Sequence, residues 1–262
     1  MTRRTTASCL PSASGSERDF TVAAFNAHWG VGRFGRFNGV RYDVARVVRS
    51  FGADLVVVPE AWRDDSGTGL VDGLRDDGYH VETVEVMRME VRHRSRKGEL
   101  GKVPRVGAWE LAVCSRFPVL ERRLIPIGIV PADAAGLRNA LALTVAIDGV
   151  PVEMIGLHVS SKLWRLAPVR HLLTLRRGIV EDSGPQILAG DFNLWGPATA
   201  TVLRGWSRPV RGRTYPSRRP HSQIDHVLVR GGIQLLEGEV LAQTPSDHRP
   251  IRARLRLPGG VT

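Results

Sequence analysis

The chain has 262 residues, 42% of them hydrophobic and 24% charged, enough to bury one large core. It holds no apolar run near the roughly 18 residues of a membrane-spanning helix, and its two cysteines, Cys9 and Cys114, make neither a disulfide framework nor a zinc site. The formal net charge of +11 favours polyanions, whether nucleic acid, anionic head groups or a phosphorylated substrate. The basic residues are nearly all arginine, with lysine only at Lys97, Lys102 and Lys162, a skew that a GC-rich genome also produces.

The first residues, MTRRTTASCLPSASGSER, are basic and rich in Ser and Thr, and read as a disordered tail over 1–19 ahead of a single domain over 20–262. TVAAFNAHW (21–29) reads as a strand. Val40, Val44, Val47, Val48 and Phe51 make the stripe of an amphipathic helix over 40–51. DLVVVPEAW (54–62) is the apolar run of a strand covered on both faces. A short helix is expected within 66–78, and VETVEV (81–86) alternates as a strand does. Residues 88–106 are basic and aperiodic, the pattern of an exposed loop or a mobile hairpin. Strands resume at 109–117, 120–127, 140–147 and 150–159, the last two flanking the hairpin signal Asp148-Gly149. A helix over 166–181, a strand over 185–193 and a short helix near 198–205 follow, then strands over 223–230, 233–242 and 248–257. With no repeat or linker, these hairpins predict one α/β domain and exclude a simple βαβ doubly wound sheet.

Polar residues interrupt the apolar runs at strand ends: Asn26, Glu60, His158, Asp191 with Asn193, Asp225 with His226, and Asp247 with His248. Singly, each has an ordinary reading. Asn forms turns, a terminal Glu is solvated, and Asp-Phe-Asn can close an Asx turn. Together they supply hard oxygen donors and two imidazoles with no cysteine, a set suited to Mg²⁺ or Mn²⁺. The two-residue period of a strand puts Asp191 and Asn193 on one side, where both can face one phosphate. His226 follows Asp225 directly, so it faces the other way and is structural. His28, His80, His93, His171 and His221 receive no catalytic role.

The motifs AAFN, VVPEAW, GLHVS, LAGDFN, QIDHVLV and SDHRPI, in this order, resemble the endonuclease/exonuclease/phosphatase superfamily over about residues 20 to 257. The resemblance implies a DNase I-like four-layer α/β sandwich, two packed and mainly antiparallel β-sheets flanked by helices. It implies a Mg²⁺ or Mn²⁺ cofactor held chiefly by Glu60 and Asn26, with Asp247 as a further metal or hydrogen-bonding carboxylate. It makes Asp191 the group that activates water or assists the leaving group, and Asn193 a phosphate contact. His158 becomes a phosphate ligand or acid, and His248 pairs with Asp225. Arg138 and Trp195 join Asn193 as expected substrate contacts. Trp29 and Trp164 also lie near site motifs, where they either stack on bases or pack in the core.

The expected activity is metal-dependent phosphoester hydrolysis by an activated water, in a cytoplasmic monomer. The basic loop 88–106 and the arginine-rich turn 211–222 favour a nuclease acting on DNA or RNA. A phosphatase or phosphodiesterase on inositol phosphates or lipid head groups, and a catalytically silent nucleic-acid-binding module, are the competing readings.

Overall fold

Strand pairing sorts the chain into two sheets. The computed structural model describes residues 19–34, 38–91, 105–131, 133–163, 166–180 and 184–258. Most of the basic loop 88–106 and all of the expected tail but Asp19, which opens the first strand, lie outside these residues. The first sheet contains β1 (Asp19–Ala24), β2 (Leu55–Asp64), β3 (His80–Val91), β4 (Arg105–Ser115), β10 (Gln234–Val240) and β11 (Ile251–Arg256), in the order β10-β11-β1-β2-β4-β3. The second contains β5 (Val119–Ile129), β6 (Leu137–Ile147), β7 (Val150–His158), β8 (Gln186–Asp191) and β9 (Asp225–Arg230), in sequence order. Pairing is antiparallel except for β1–β2 and β7–β8, so both sheets are mixed.

Alternation along the strands builds three apolar layers. Val22, Val57, Leu143, Met154, Ile187, Val227 and Ala253 fill the space between the sheets. On the outer face of the first sheet, Ala23, Val56 and Val58 pack under α1 (Val44–Arg49) and the 3-10 turn Asp72–Asp77. On the outer face of the second, Ile155, Leu188 and Leu228 pack under α2 (Ala167–Gly178) and α3 (Gly196–Val202). This is the expected sandwich. Among the described residues no helix is long and apolar enough to cross a membrane.

One irregularity positions the site. Strict alternation would put Glu60 on the outer face with Val56 and Val58. Pro59 cannot donate to the β4 ladder, and the register slips between Val58 and Ala61. Glu60 takes a φ of 54°, rare for a residue with a Cβ. This bulge redirects its side chain to the end of the space between the sheets.

Candidate active site

Three neighbouring strands of the second sheet deliver the first half of the site. His158 pairs with Asp191 across β7–β8, and Asp191 with Asp225 across β8–β9. Register partners share a face, and this row continues the inner face of Met154, Ile187 and Val227. Gly190 is what allows β8 to approach so closely. Its φ is 136°, and a Cβ there would stand 2.1 Å from the Leu157 carbonyl oxygen.

The first sheet supplies the other half. Asn26 follows β1 and is fully buried; its Nδ2 donates to Asp191 Oδ2 at 3.1 Å, and its Oδ1 accepts from the His28 backbone at 3.0 Å. Ser246 ties in the segment before β11. Its hydroxyl donates to the Asn26 carbonyl at 2.7 Å and accepts from the His248 backbone at 3.2 Å. His248 Nδ1 then sits 2.9 and 3.1 Å from the two oxygens of Asp225, and its Nε2 lies 3.9 Å from Asp191 Oδ2. His158 Nε2 stands 3.6 Å from Asp191 Oδ2 and 3.8 Å from Glu60 Oε1.

Burial and mutual charge set the protonation states. Burial, with help from Asp247, pushes Glu60 up to about 8. Burial, then the charge of Asp225, raises the Asp191 carboxyl above the usual carboxylate range. Burial alone would lower His248, but Asp225 overrides it and holds the imidazole up at about 10, so it is cationic at neutral pH. His158 goes the other way, its charged form disfavoured by burial and then by the Arg138 charge.

The structure brings Asn26, Glu60, His158, Asp191, Asp225 and His248 to one place. Asp247 is half-buried beside them, its charge felt by Glu60 and His248. Asn193 departs from the period-two expectation, because β8 ends at Asp191. Its backbone N–H closes an Asx turn on Asp191 Oδ1 at 2.8 Å, its φ is 45°, and its Nδ2 donates to the Val159 carbonyl at 3.1 Å. Arg138, expected at the substrate, is only 5% exposed. Its guanidinium forks onto Asp133, donates to the His158 carbonyl and lies over the Trp109 ring. It therefore ties the His158 backbone to Asp133. Trp195 is 65% exposed. His226 is structural as expected: fully buried on the outer face, with Nε2 2.9 Å from the Leu194 carbonyl and its ring edge-on to Phe192. Trp29 packs edge-on to Trp109, and Trp164 lies outside the described residues.

Sequence reasoning missed Tyr215, whose ring lies 4.9 Å from that of His248, and Trp109, 5.2 Å from His158. Both come from segments remote in sequence and carry no local signal. It also missed His171 of α2, whose Nδ1 accepts the Ser160 N–H and pins the loop after His158.

The residues suit a hard divalent cation. Asp191 and Asp225 stand within 4.8 Å of each other and of His248 and supply the ligand oxygens of that group, since the cationic His248 donates rather than coordinates. Glu60 Oε2 is buried without a hydrogen-bond partner, and the charge of Asp191 helps to raise the Glu60 pKa. Oxygen donors dominate the cluster, as Mg²⁺ or Mn²⁺ would require.

The model of the Endonuclease/Exonuclease/phosphatase family matches residues 23–248. A UPF0294 protein of Vibrio cholerae is 30% identical over 118 residues, which is 42% of this chain and 42% of that protein, so less than half of that relative is matched. A solved endonuclease/exonuclease/phosphatase from Beutenbergia cavernae superposes with a TM-score of 0.68 at 23% identity, covering 94% of this chain and 73% of that one. A mannosyl-6-phosphatase from Bacteroides thetaiotaomicron superposes at 0.66 and 19% identity, covering 90% and 99%. At these identities the solved structures show a shared fold. With the family model spanning both halves of the site, the chain belongs to the endonuclease/exonuclease/phosphatase family, hydrolases that act on phosphoester bonds.

Proposed function

We propose that the protein is a divalent-metal-dependent phosphodiesterase that hydrolyses nucleic acid. The observation that carries this reading is the buried convergence of Asn26, Glu60, His158, Asp191, Asp225 and His248 at one end of the two sheets. A buried carboxylate cluster costs the fold stability, a cost that persists where the cluster serves a site.

Phosphodiester hydrolysis needs an oriented water, relief of charge on the phosphoryl oxygens, and protonation of the leaving oxygen. A Mg²⁺ or Mn²⁺ held by Glu60 and Asn26 would supply charge relief and order the reactants. Asp191 is fixed by Asn26 Nδ2 on one oxygen and by the Asn193 N–H on the other. Its raised pKa lets it take a proton from a water held against it near neutral pH. His248, oriented by Asp225, presents a cationic Nε2–H to the same space, where it would hydrogen-bond the phosphate and give its proton to the leaving oxygen. His158 stays neutral and offers a second Nε2 contact beside Asp191 and Glu60.

The net charge of +11 and the exposed arginines of the turn 211–222 favour an extended polyanion over an isolated phosphomonoester. Assaying purified protein with Mg²⁺ on single- and double-stranded DNA and RNA, beside inositol phosphates and sphingomyelin, tests this. Cleavage of a nucleic acid is expected. Turnover of the small or lipid-borne phosphates alone would replace the reading.

A further inference from the structure

The segment between α3 and β9 takes no part in the reaction above, yet it forms a cavity of about 440 Å³ beside the catalytic cluster. Trp195, Gly196, Arg208, Arg213, His221 and Gln223 line it. Gln223 stands two residues before Asp225, and Trp195 four after Asp191. The Tyr215 ring lies 4.9 Å from His248 and 6.5 Å from His221, so one tyrosine separates the pocket rim from the site.

The walls are fixed from within. Gln223 Oε1 accepts from Gly212 N at 3.2 Å and from Arg208 Nη1 at 3.4 Å, and Gln223 Nε2 donates to the Val210 carbonyl at 2.9 Å. Arg208 lies directly on the backbone of Gly196, where a Cβ would stand 1.1 Å from Nη1. Only glycine admits the guanidinium there.

The lining combines two cationic side chains with an exposed aromatic ring. Arg63, Arg123, Arg138 and Arg252 are each paired with a carboxylate. Among the described residues, Arg208 and Arg213 have no carboxylate partner, and the charge of another cation, Arg211, acts on Arg208. Beside them the Trp195 ring is 65% exposed, although a ring of that size normally finds cover. Unpaired guanidinium groups next to an open indole match a phosphate joined to a planar base.

We propose that this pocket binds the nucleotide flanking the scissile phosphate, with Trp195 stacking on its base and Arg208 and Arg213 holding its next phosphate. The proposal rests on the phosphodiesterase reading and narrows it. An isolated phosphomonoester would fill the catalytic cluster and leave the pocket empty, whereas a nucleotide chain fills both.

Two measurements test it. The first compares kcat/KM for a thymidine dinucleotide phosphorylated at both ends with that for the same dinucleotide bearing neither terminal phosphate. Wild-type protein should prefer the phosphorylated form by about tenfold or more. The Arg208→Gln/Arg213→Gln protein should lose that preference. Trp195→Ala should lower kcat/KM on both substrates roughly tenfold, and Trp195→Phe should restore most of it. An unchanged preference in the double arginine variant would overturn the proposal.

The second measurement needs no turnover and so separates the pocket from the reaction. Adenosine 3′,5′-bisphosphate is titrated in EDTA, following tryptophan fluorescence. Quenching that is lost in Trp195→Phe and weakened about tenfold in Arg208→Gln supports the pocket even if no diester is cleaved. No binding, or equal binding of fructose 1,6-bisphosphate, which has no base to stack, would overturn it.

Discussion

Glu60 combines a φ of 54° with a buried carboxylate whose Oε2 has no partner. Such a residue weakens the fold in return for a site. Its pKa is pushed up to about 8 by burial, so between the ordinary carboxylate range and about 8 the folded chain binds more protons than the unfolded one. Without metal, stability should therefore fall as pH rises across that window. Glu60→Gln should flatten this dependence and unfold no earlier than wild type. Mg²⁺ or Mn²⁺ should raise the melting temperature of wild type and not of Glu60→Gln, because a ligand stabilises only the state that binds it. Thermal melts with Mg²⁺ and with EDTA from pH 6 to 9 would show whether it does. Gly190 carries the opposite kind of constraint. Gly190→Ala would drive a Cβ against the Leu157 carbonyl in a conformation that disfavours side chains, at a cost of about 2–4 kcal/mol in urea unfolding. At this scale the sequence reveals which residues matter better than where they point. The pairing of Asn26, Glu60, Asp191, Asp225 and His248 follows from ordered motifs. The bulge that turns Glu60 inward, and the Asx turn that takes Asn193 out of the strand period, depend on backbone detail that no periodicity records.

Among the elements, those set by local signals match the sequence reading best. Asp148-Gly149 forms the β6–β7 hairpin with positive φ at both residues, as its composition demands. Helix α1 begins after Asp43, whose carboxylate accepts the Arg46 N–H, but it is shorter than its apolar stripe suggested. Strands β3 and β4 run further into the basic segment than expected, because Arg88 and Glu90 on the exposed ladder hide the alternation. Tyr215 and Trp109 could not be placed from sequence, since their partners lie far along the chain. Packing of β8 and β9 under α3 buries His226, whose pKa drops to about 4 through burial. His171, on the buried face of α2, behaves the same way. Unfolded histidine takes up a proton below about 6.5 and these folded ones only near 4, so stability is lost as pH falls through that interval. Over about 2.5 units at about 1.4 kcal/mol per unit, each contributes on the order of 3 kcal/mol at most. Urea unfolding at pH 7 and pH 5 should show a clear loss in wild type and a smaller one in His226→Gln. Equal losses would mean that His226 is not held neutral.

For the whole molecule, two sheets close on one core, and each brings half of the site to the same end. Neither sheet alone is competent, so global unfolding and loss of activity should coincide. Net charge sets how the surface meets a substrate. If two phosphates are contacted, affinity for DNA should fall about tenfold between about 50 and 200 mM salt. A salt-independent affinity would argue against a polyanionic substrate. The most direct test of the catalytic reading is nicking of supercoiled plasmid with Mg²⁺, Mn²⁺ or EDTA by wild type, Glu60→Ala and His248→Ala. Nicking by wild type that needs the metal and drops at least a hundredfold in both variants is expected. Nicking that survives in EDTA or in either variant, or its absence from folded wild-type protein, would contradict a metal-dependent nuclease working through this site.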